Sequence, residues 1–331
     1  MTVSAALRTG AHFVSRNVGL VAVLWAVSLG SALLLAVPLF TALENALQET
    51  DAAAGMMYGF DYAWWEEWSE HQSGWRTSFG PTIIGVGTAF DGLSRLLQGE
   101  FPARLLAQGD ASAPLGAVLG IGVVYWVLQV FLTGGILALL RRPDGRWSGR
   151  ALLHGAGFYF GRLLRVAVLS LFCAWLVFQI HAPLSRVAHE AARDSVSETL
   201  ASTWSLLRYA GLGLALLFVH IVASYARIIL VLQERSSAVL AWGTSLALCA
   251  RHPLRIVGHF LSVLLLGVLS FAAWAFVDAR WETVGFRSQL VGFVLAQAAV
   301  TARLALRIGL LAGQSALCSS LSRGMSHTDQ V

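Results

Sequence analysis

The sequence predicts an all-α integral membrane bundle of about six transmembrane helices, with amphipathic interfacial helices on both faces. Three observations carry this. Six runs of about twenty or more mostly apolar residues recur along the 331 residues, each long enough as a helix to cross a hydrocarbon core of about 30 Å. Hydrophobic side chains make up 56% of the chain and charged ones 12%, with a mean hydropathy of +0.67, whereas soluble domains carry about twice that share of charge. No run alternates polar and apolar residues as a half-buried strand would. Residues 1–331 therefore read as a single transmembrane domain.

In chain order, the opening segment carries Arg8, His12 and Arg16 ahead of an apolar run from residue 18 to about 40. That run is longer than the core of a signal peptide and ends without a clear small-residue cleavage site, so it reads as a retained first span. Residues 41–114 form an external insertion between the first two spans, too short and irregular for an enzyme domain of its own. In its first half Tyr58, Phe60, Tyr62, Trp64, Trp65, Trp68 and Trp75 are interspersed with Asp61, Glu66, Glu67 and Glu70. Rings with an apolar body and a polar tip suit the headgroup level, which predicts an interfacial helix capped by Asp61 and anchored by Trp64, Trp65, Trp68 and Trp75. In the second half Val86, Phe90, Leu93, Leu97 and Phe101 form a helical apolar stripe that Pro102 ends, with Gly80-Pro81 as the turn between the two helices.

The other spans are expected at residues 115–140, 151–180, 206–232, 256–277 and 290–311. Gly134 and Gly135 in the second suit close helix approach. Residues 233–255 read as a cytoplasmic surface helix between the fourth and fifth spans, and the chain is organised around this stretch. Gln233, Glu234 and Arg235 leave the hydrocarbon and Ser236 is the expected N-cap. Val239, Trp242, Leu246 and Cys249 make an apolar stripe opposite Ser237, Thr244 and Ser245, and Arg251, His252 and Pro253 end the helix.

The net charge of +5 comes from arginine alone, since the chain has no lysine. Scattered beside apolar runs, these arginines imply no nucleic-acid partner and act instead as a topology signal. Arg141, Arg142, Arg146 and Arg150 crowd one connection, and Arg235, Arg251 and Arg255 another. With Arg8 and Arg16 on the same side, both termini fall in the cytoplasm, and residues 41–114, which hold ten of the eighteen acids, lie outside. Cys173, Cys249 and Cys318 are far apart, without CxxC pairing, and read as small buried hydrophobes.

A nucleophile with its base, paired catalytic carboxylates, a phosphate loop and metal-ligand spacing are all missing, so no catalytic residue, metal or cofactor is expected. Glu66, Glu67, Glu70 and His71 form a cluster that can in principle hold a cation, but a solvated acidic face between interfacial tryptophans explains the same residues. His220, His154, His181, His252 and His259 lack ligand spacing, and a lone histidine in a bundle hydrogen-bonds a neighbouring helix more often than it holds a metal. The feature that asks for an explanation is arginine within the spans: Arg162 and Arg165 in the third, Arg227 in the fourth, Arg303 and Arg307 in the last. All five are expected toward the cytoplasmic leaflet, where the only acids are Asp144, Glu234 and Asp329. Each charge costs at least about 2.5 kcal/mol at mid-depth. Snorkelling with hydrogen bonds to free carbonyls is one explanation. Arg227, Arg303 and Arg307, with Arg162, gathering round an anionic lipid headgroup or acidic solute is another, and carboxylates from a partner subunit are a third.

Tyr225-Ala226-Arg227, Gln233-Glu234-Arg235, the Ala/Ser/Leu surface helix, His252-Pro253, the Gly-Phe-Asp-Tyr-Ala-Trp segment at 59–64 and Gly134-Gly135 together resemble a pattern in uncharacterised bacterial six-span membrane proteins. A similar arrangement is found in the membrane-anchor domain of some bacterial glycerophosphodiester phosphodiesterases, whose catalytic domain has no counterpart here. The resemblance implies an all-helical protein of the bacterial inner membrane and lends no activity. Ser224 stands where related sequences often have an acid, which weakens an internal ion pair with Arg227. The expected function is a non-catalytic scaffold or accessory subunit that organises lipids, anionic ones among them, or partner membrane subunits. The alternative is a permease or transporter component for a small or acidic solute, although Gln129, His220, Gln297 and Gln314 are few for a polar path.

Overall fold

A computed structural model of the protein describes residues 1–48, 50, 52, 61–72, 114–142, 145–193, 198–281 and 286–328. Among them the chain is all-α. Its helices are α1 (Val3–Arg16), α2 (Val18–Gln48), α3 (Tyr62–Glu70), α4 (Pro114–Arg141), α5 (Gly149–Arg193), α6 (Glu198–Leu232), α7 (Ala238–Arg251), α8 (Pro253–Asp278) and α9 (Phe286–Thr328). Helices α2, α4, α5, α6, α8 and α9 are long and apolar enough to cross a membrane, so this is a multi-pass membrane protein. Several run well past the apolar stretches seen in the sequence. α5 continues to Arg193 through alanines, arginines and other good helix formers, whereas α9 continues to Thr328 through a serine- and glycine-bearing segment in which Ala312, Gln314, Leu317, Cys318 and Leu321 are buried, so packing holds it.

The core lies at one end of the bundle, its base, where α2, α5 and α8 begin and α4 and α6 end. Buried there are Leu20 and Leu24 of α2, Ile136 and Leu139 of α4, Leu152 and Leu163 of α5, Tyr225 to Val231 of α6, Ile256 of α8 and Ile308 to Leu321 of α9. The opposite halves carry exposed apolar side chains such as Leu34, Val124, Ile180, Leu206, Phe276 and Phe293. Lipid is as apolar as leucine, so these halves gain little by packing, and helices associate where small residues bring backbones together. Gly135 supplies such a place. A Cβ there would stand 2.5 Å from the carbonyl oxygen of Leu152, which fixes the α4–α5 crossing.

Helix α1 was not legible as a separate element. Asn17 ends it, and the Asn17 amide donates to the carbonyls of Phe13 at 2.8 Å and Gly145 at 3.1 Å, tying the α1–α2 junction to the α4–α5 connection. α1 then seats on α9, with Gly10 facing Gly309. The N-terminal helix and the C-terminal part of α9 thus share the base.

Outside the spans, α3 forms as expected. The Asp61 carboxylate accepts from the amides of Ala63 and Trp64, both at 3.1 Å, and Trp64 stacks on Trp68 at 5.7 Å. Trp65 lies on the same helix. Trp75, Gly80-Pro81 and the stripe from Val86 to Phe101 lie outside the described residues.

The surface helix α7 departs from expectation twice. Its cap is Ser237, whose hydroxyl accepts from the Leu240 amide at 3.4 Å, one residue later than Ser236. Its buried face is Ala238, Ala241, Ser245, Leu248 and Cys249, while Val239 and Leu246 of the expected stripe are 70% and 44% exposed. Small side chains let α7 lie close on α6, and Ser245 donates to the Val222 carbonyl at 2.7 Å, so its hydroxyl is satisfied inside the core. Burial pushes the Cys249 thiol up to about 11, which keeps it a neutral small hydrophobe as expected.

Candidate functional site

Arg303 and Arg307 stand one turn apart on α9, and each solves the cost of its charge differently. Arg307 donates through Nη1 to the Gln129 carboxamide oxygen and through Nη2 to Thr133 Oγ at 3.4 Å. Both acceptors are buried on α4, four residues apart and therefore on one face. Thr133 Oγ in turn donates to the Gln129 carbonyl at 2.6 Å. Neutral dipoles thus carry this cation without a carboxylate.

Gln129 and Thr133 lie twelve and eight residues before Arg141, the end of α4, which is about 18 and 12 Å of helix rise. The Arg307 guanidinium therefore sits several turns inside the bundle from the base, and α9 runs past the expected span end near residue 311 to Thr328.

Arg227 of α6 is half-buried, and its Nε donates to its own helix at the Ala223 carbonyl, 3.2 Å away. Ser224 beside it donates to Gln314 Oε1 at 2.7 Å, so the position where an acid was missed serves a helix contact. Arg227 and Arg307 are close enough to repel each other, and His220 feels both. His220 packs edge-on against Phe260 at 5.6 Å, and Gln297 accepts from Trp25 Nε1 at 2.9 Å. The intramembrane polar residues are therefore spent largely on helix contacts.

Arg303 is exposed and has no hydrogen-bond or ion-pair partner among the described residues. It lies partway along a groove of about 650 Å³ between α6, α8 and α9, whose walls include Phe260, Leu264, Phe271, Trp274 and Val300. Along α8 the lining runs from Phe260 to Trp274, about 21 Å of rise. Arg303 is the one arginine among the described residues that line this groove, and it stands one turn from the charge of Arg307.

Arg162 does not join this group. Its guanidinium lies 5.4 Å from the centre of the Phe158 ring and reaches the Glu234 carbonyl at 3.5 Å, at the base. There Glu234, in the left-handed region at φ 51°, also holds Arg141 through its carboxylate, and Arg141 donates to the Tyr159 hydroxyl at 3.0 Å. Both members of the Arg141–Glu234 pair are well exposed, so the pair itself adds less than about 1 kcal/mol. Arg165 is exposed on α5. No protein-family model, no curated protein and no solved structure matches the chain.

Proposed function

We propose that the protein is a non-catalytic component of the bacterial cytoplasmic membrane that holds an anionic lipid in the groove between α6, α8 and α9, with its anionic group at Arg303. The observation that carries this is the exposed guanidinium of Arg303, without a partner among the described residues, in a mostly apolar groove that His220 and Ser270 also line, next to a second cation already occupied by Gln129 and Thr133. A lipid supplies both the negative group and the chain that such a groove accepts. The base faces the cytoplasm in this reading, because Arg141, Arg142, Arg146, Arg150, Arg235, Arg251 and Arg255 flank the span ends there. The exposed apolar halves away from the base are free for bulk lipid or for partner membrane subunits.

Replacing Arg303 with leucine is expected to reduce co-purified anionic lipid about tenfold, the loss of one charge-assisted contact, while zwitterionic lipid is unchanged. Native mass spectrometry of gently extracted protein reads both, and an unaltered anionic-lipid adduct sinks the reading. One observation favours a permease for an acidic solute: Arg227, half-buried on α6, bonds to the Ala223 carbonyl of its own helix and has no carboxylate partner among the described residues. Uptake of such a solute into vesicles containing the protein, abolished by Arg227→Leu but not by Arg303→Leu, would support that alternative.

A further inference from the structure

At the base, the end of α4 and the start of α5 border a second, open cavity of about 700 Å³. Arg142, Ser148, Arg150, His154, Phe158 and Tyr159 line it, and Gly155 lets α5 close on Ala138 of α4 beside it. Arg150 and His154 are four residues apart at the beginning of α5, so they share one face of the helix. Both are exposed, and neither has a hydrogen-bond partner among the described residues. None of the described residues lining the cavity is acidic, and the first turn of α5 has no acid either, so the free amides of that turn add to the positive potential. Leu153 and Phe158, 59% and 58% exposed, set an apolar surface beside the cations.

We infer that this cavity binds a phosphate ester. The Arg150 guanidinium provides forked donors for phosphate oxygens, the His154 imidazole and the Ser148 hydroxyl add single contacts, Arg142 adds positive charge, and the volume admits the phosphate with the group it esterifies. The phosphate can belong to a phospholipid headgroup at the base or to a small soluble ester. The site stands apart from the groove at Arg303, since the two share no lining residue.

The test uses the full chain in nanodiscs of phosphatidylcholine, titrated with inorganic phosphate followed by phosphorus NMR. A second set of nanodiscs contains phosphatidylglycerol, with bound lipid counted by native mass spectrometry. Arg150→Gln with His154→Gln is expected to weaken binding at least about tenfold in whichever arm responds. Arg150→Gln alone should give a smaller loss; Arg303→Leu should leave the inorganic-phosphate titration unchanged, and in the phosphatidylglycerol arm it should remove only the lipid that the Arg150 and His154 replacements leave bound. A response to inorganic phosphate identifies a soluble ester as the source, and a response to phosphatidylglycerol alone identifies a headgroup. Because the replaced side chains are exposed, an unshifted melting temperature is expected for the variants. Equal binding by wild type and the double variant in both arms overturns the proposal and leaves the Arg303 reading untouched, whereas no binding in either arm overturns the proposal and, through the missing phosphatidylglycerol, counts against the Arg303 reading as well.

Discussion

Gly10→Ala is expected to destabilise the protein by about 3 kcal/mol, while Gly309→Ala, directly across the same contact, costs less than about 0.5 kcal/mol. The asymmetry follows from geometry. A methyl group at Gly10 would lie 2.4 Å from the Gly309 carbonyl oxygen and 3.0 Å from its carbon, so the obstacle is backbone and no rotamer change relieves it. α1 must back away from α9. A methyl group at Gly309 meets Val14 Cγ2 at 3.7 Å and Gly10 at 3.8 Å, ordinary van der Waals separations. It also removes the helix penalty of a glycine, about 1 kcal/mol, from the interior of α9. Thermal unfolding of the two variants in the same detergent provides the measurement. Equal losses, or a larger one for Gly309→Ala, would show that α1 does not sit on α9 through this pair.

The spans were readable because lipid demands the same thing of every residue in its core: an apolar side chain on a helix whose backbone bonds are internal. Composition over about twenty residues therefore sufficed for α2, α4, α5, α6, α8 and α9. Docked pieces outside the spans were harder. In α7 the sequence pattern picked out Val239 and Leu246, yet the buried face is built on Ala238, Ala241 and Ser245, because closeness to α6 rewards small side chains more than apolar ones. α1 was hidden for the same reason, its contact resting on Ala6 and Gly10. At the site, Arg227, Arg303 and Arg307 could be singled out as charges out of place. Arg162 could not be separated from them, since its partner Glu234 lies 72 residues further along. A signal for the Arg307 contact was present in the paired spacing of Gln129–Thr133 and Arg303–Arg307, two i,i+4 polar pairs on otherwise apolar helices.

That contact gives the second large effect, and its sign depends on which side is removed. Gln129→Leu leaves the Arg307 cation inside the span with Thr133 Oγ, at 3.4 Å, as its remaining hydrogen-bond partner among the described residues, and is expected to cost about 2 to 3 kcal/mol. Arg307→Leu instead takes the charge out of the hydrocarbon. It leaves the Gln129 carboxamide oxygen without its donor, a loss of about 1 kcal/mol, against a relieved insertion cost of at least about 2.5 kcal/mol. Stability should then stay level or rise. Thr133 is unaffected, because its hydroxyl still donates to the Gln129 carbonyl. The double variant Gln129→Leu with Arg307→Leu should recover most of what Gln129→Leu loses, as expected when a costly buried charge and its partner are replaced together by apolar side chains. Unfolding free energies in mixed micelles measure all three. If Arg307→Leu proves the more damaging single change, the guanidinium is fastening the bundle and Gln129 is not its solvent. Should the ordering hold, Arg307 is kept at a net cost to the fold, and the lipid contact proposed for Arg303, one turn away, is the role that would justify that cost.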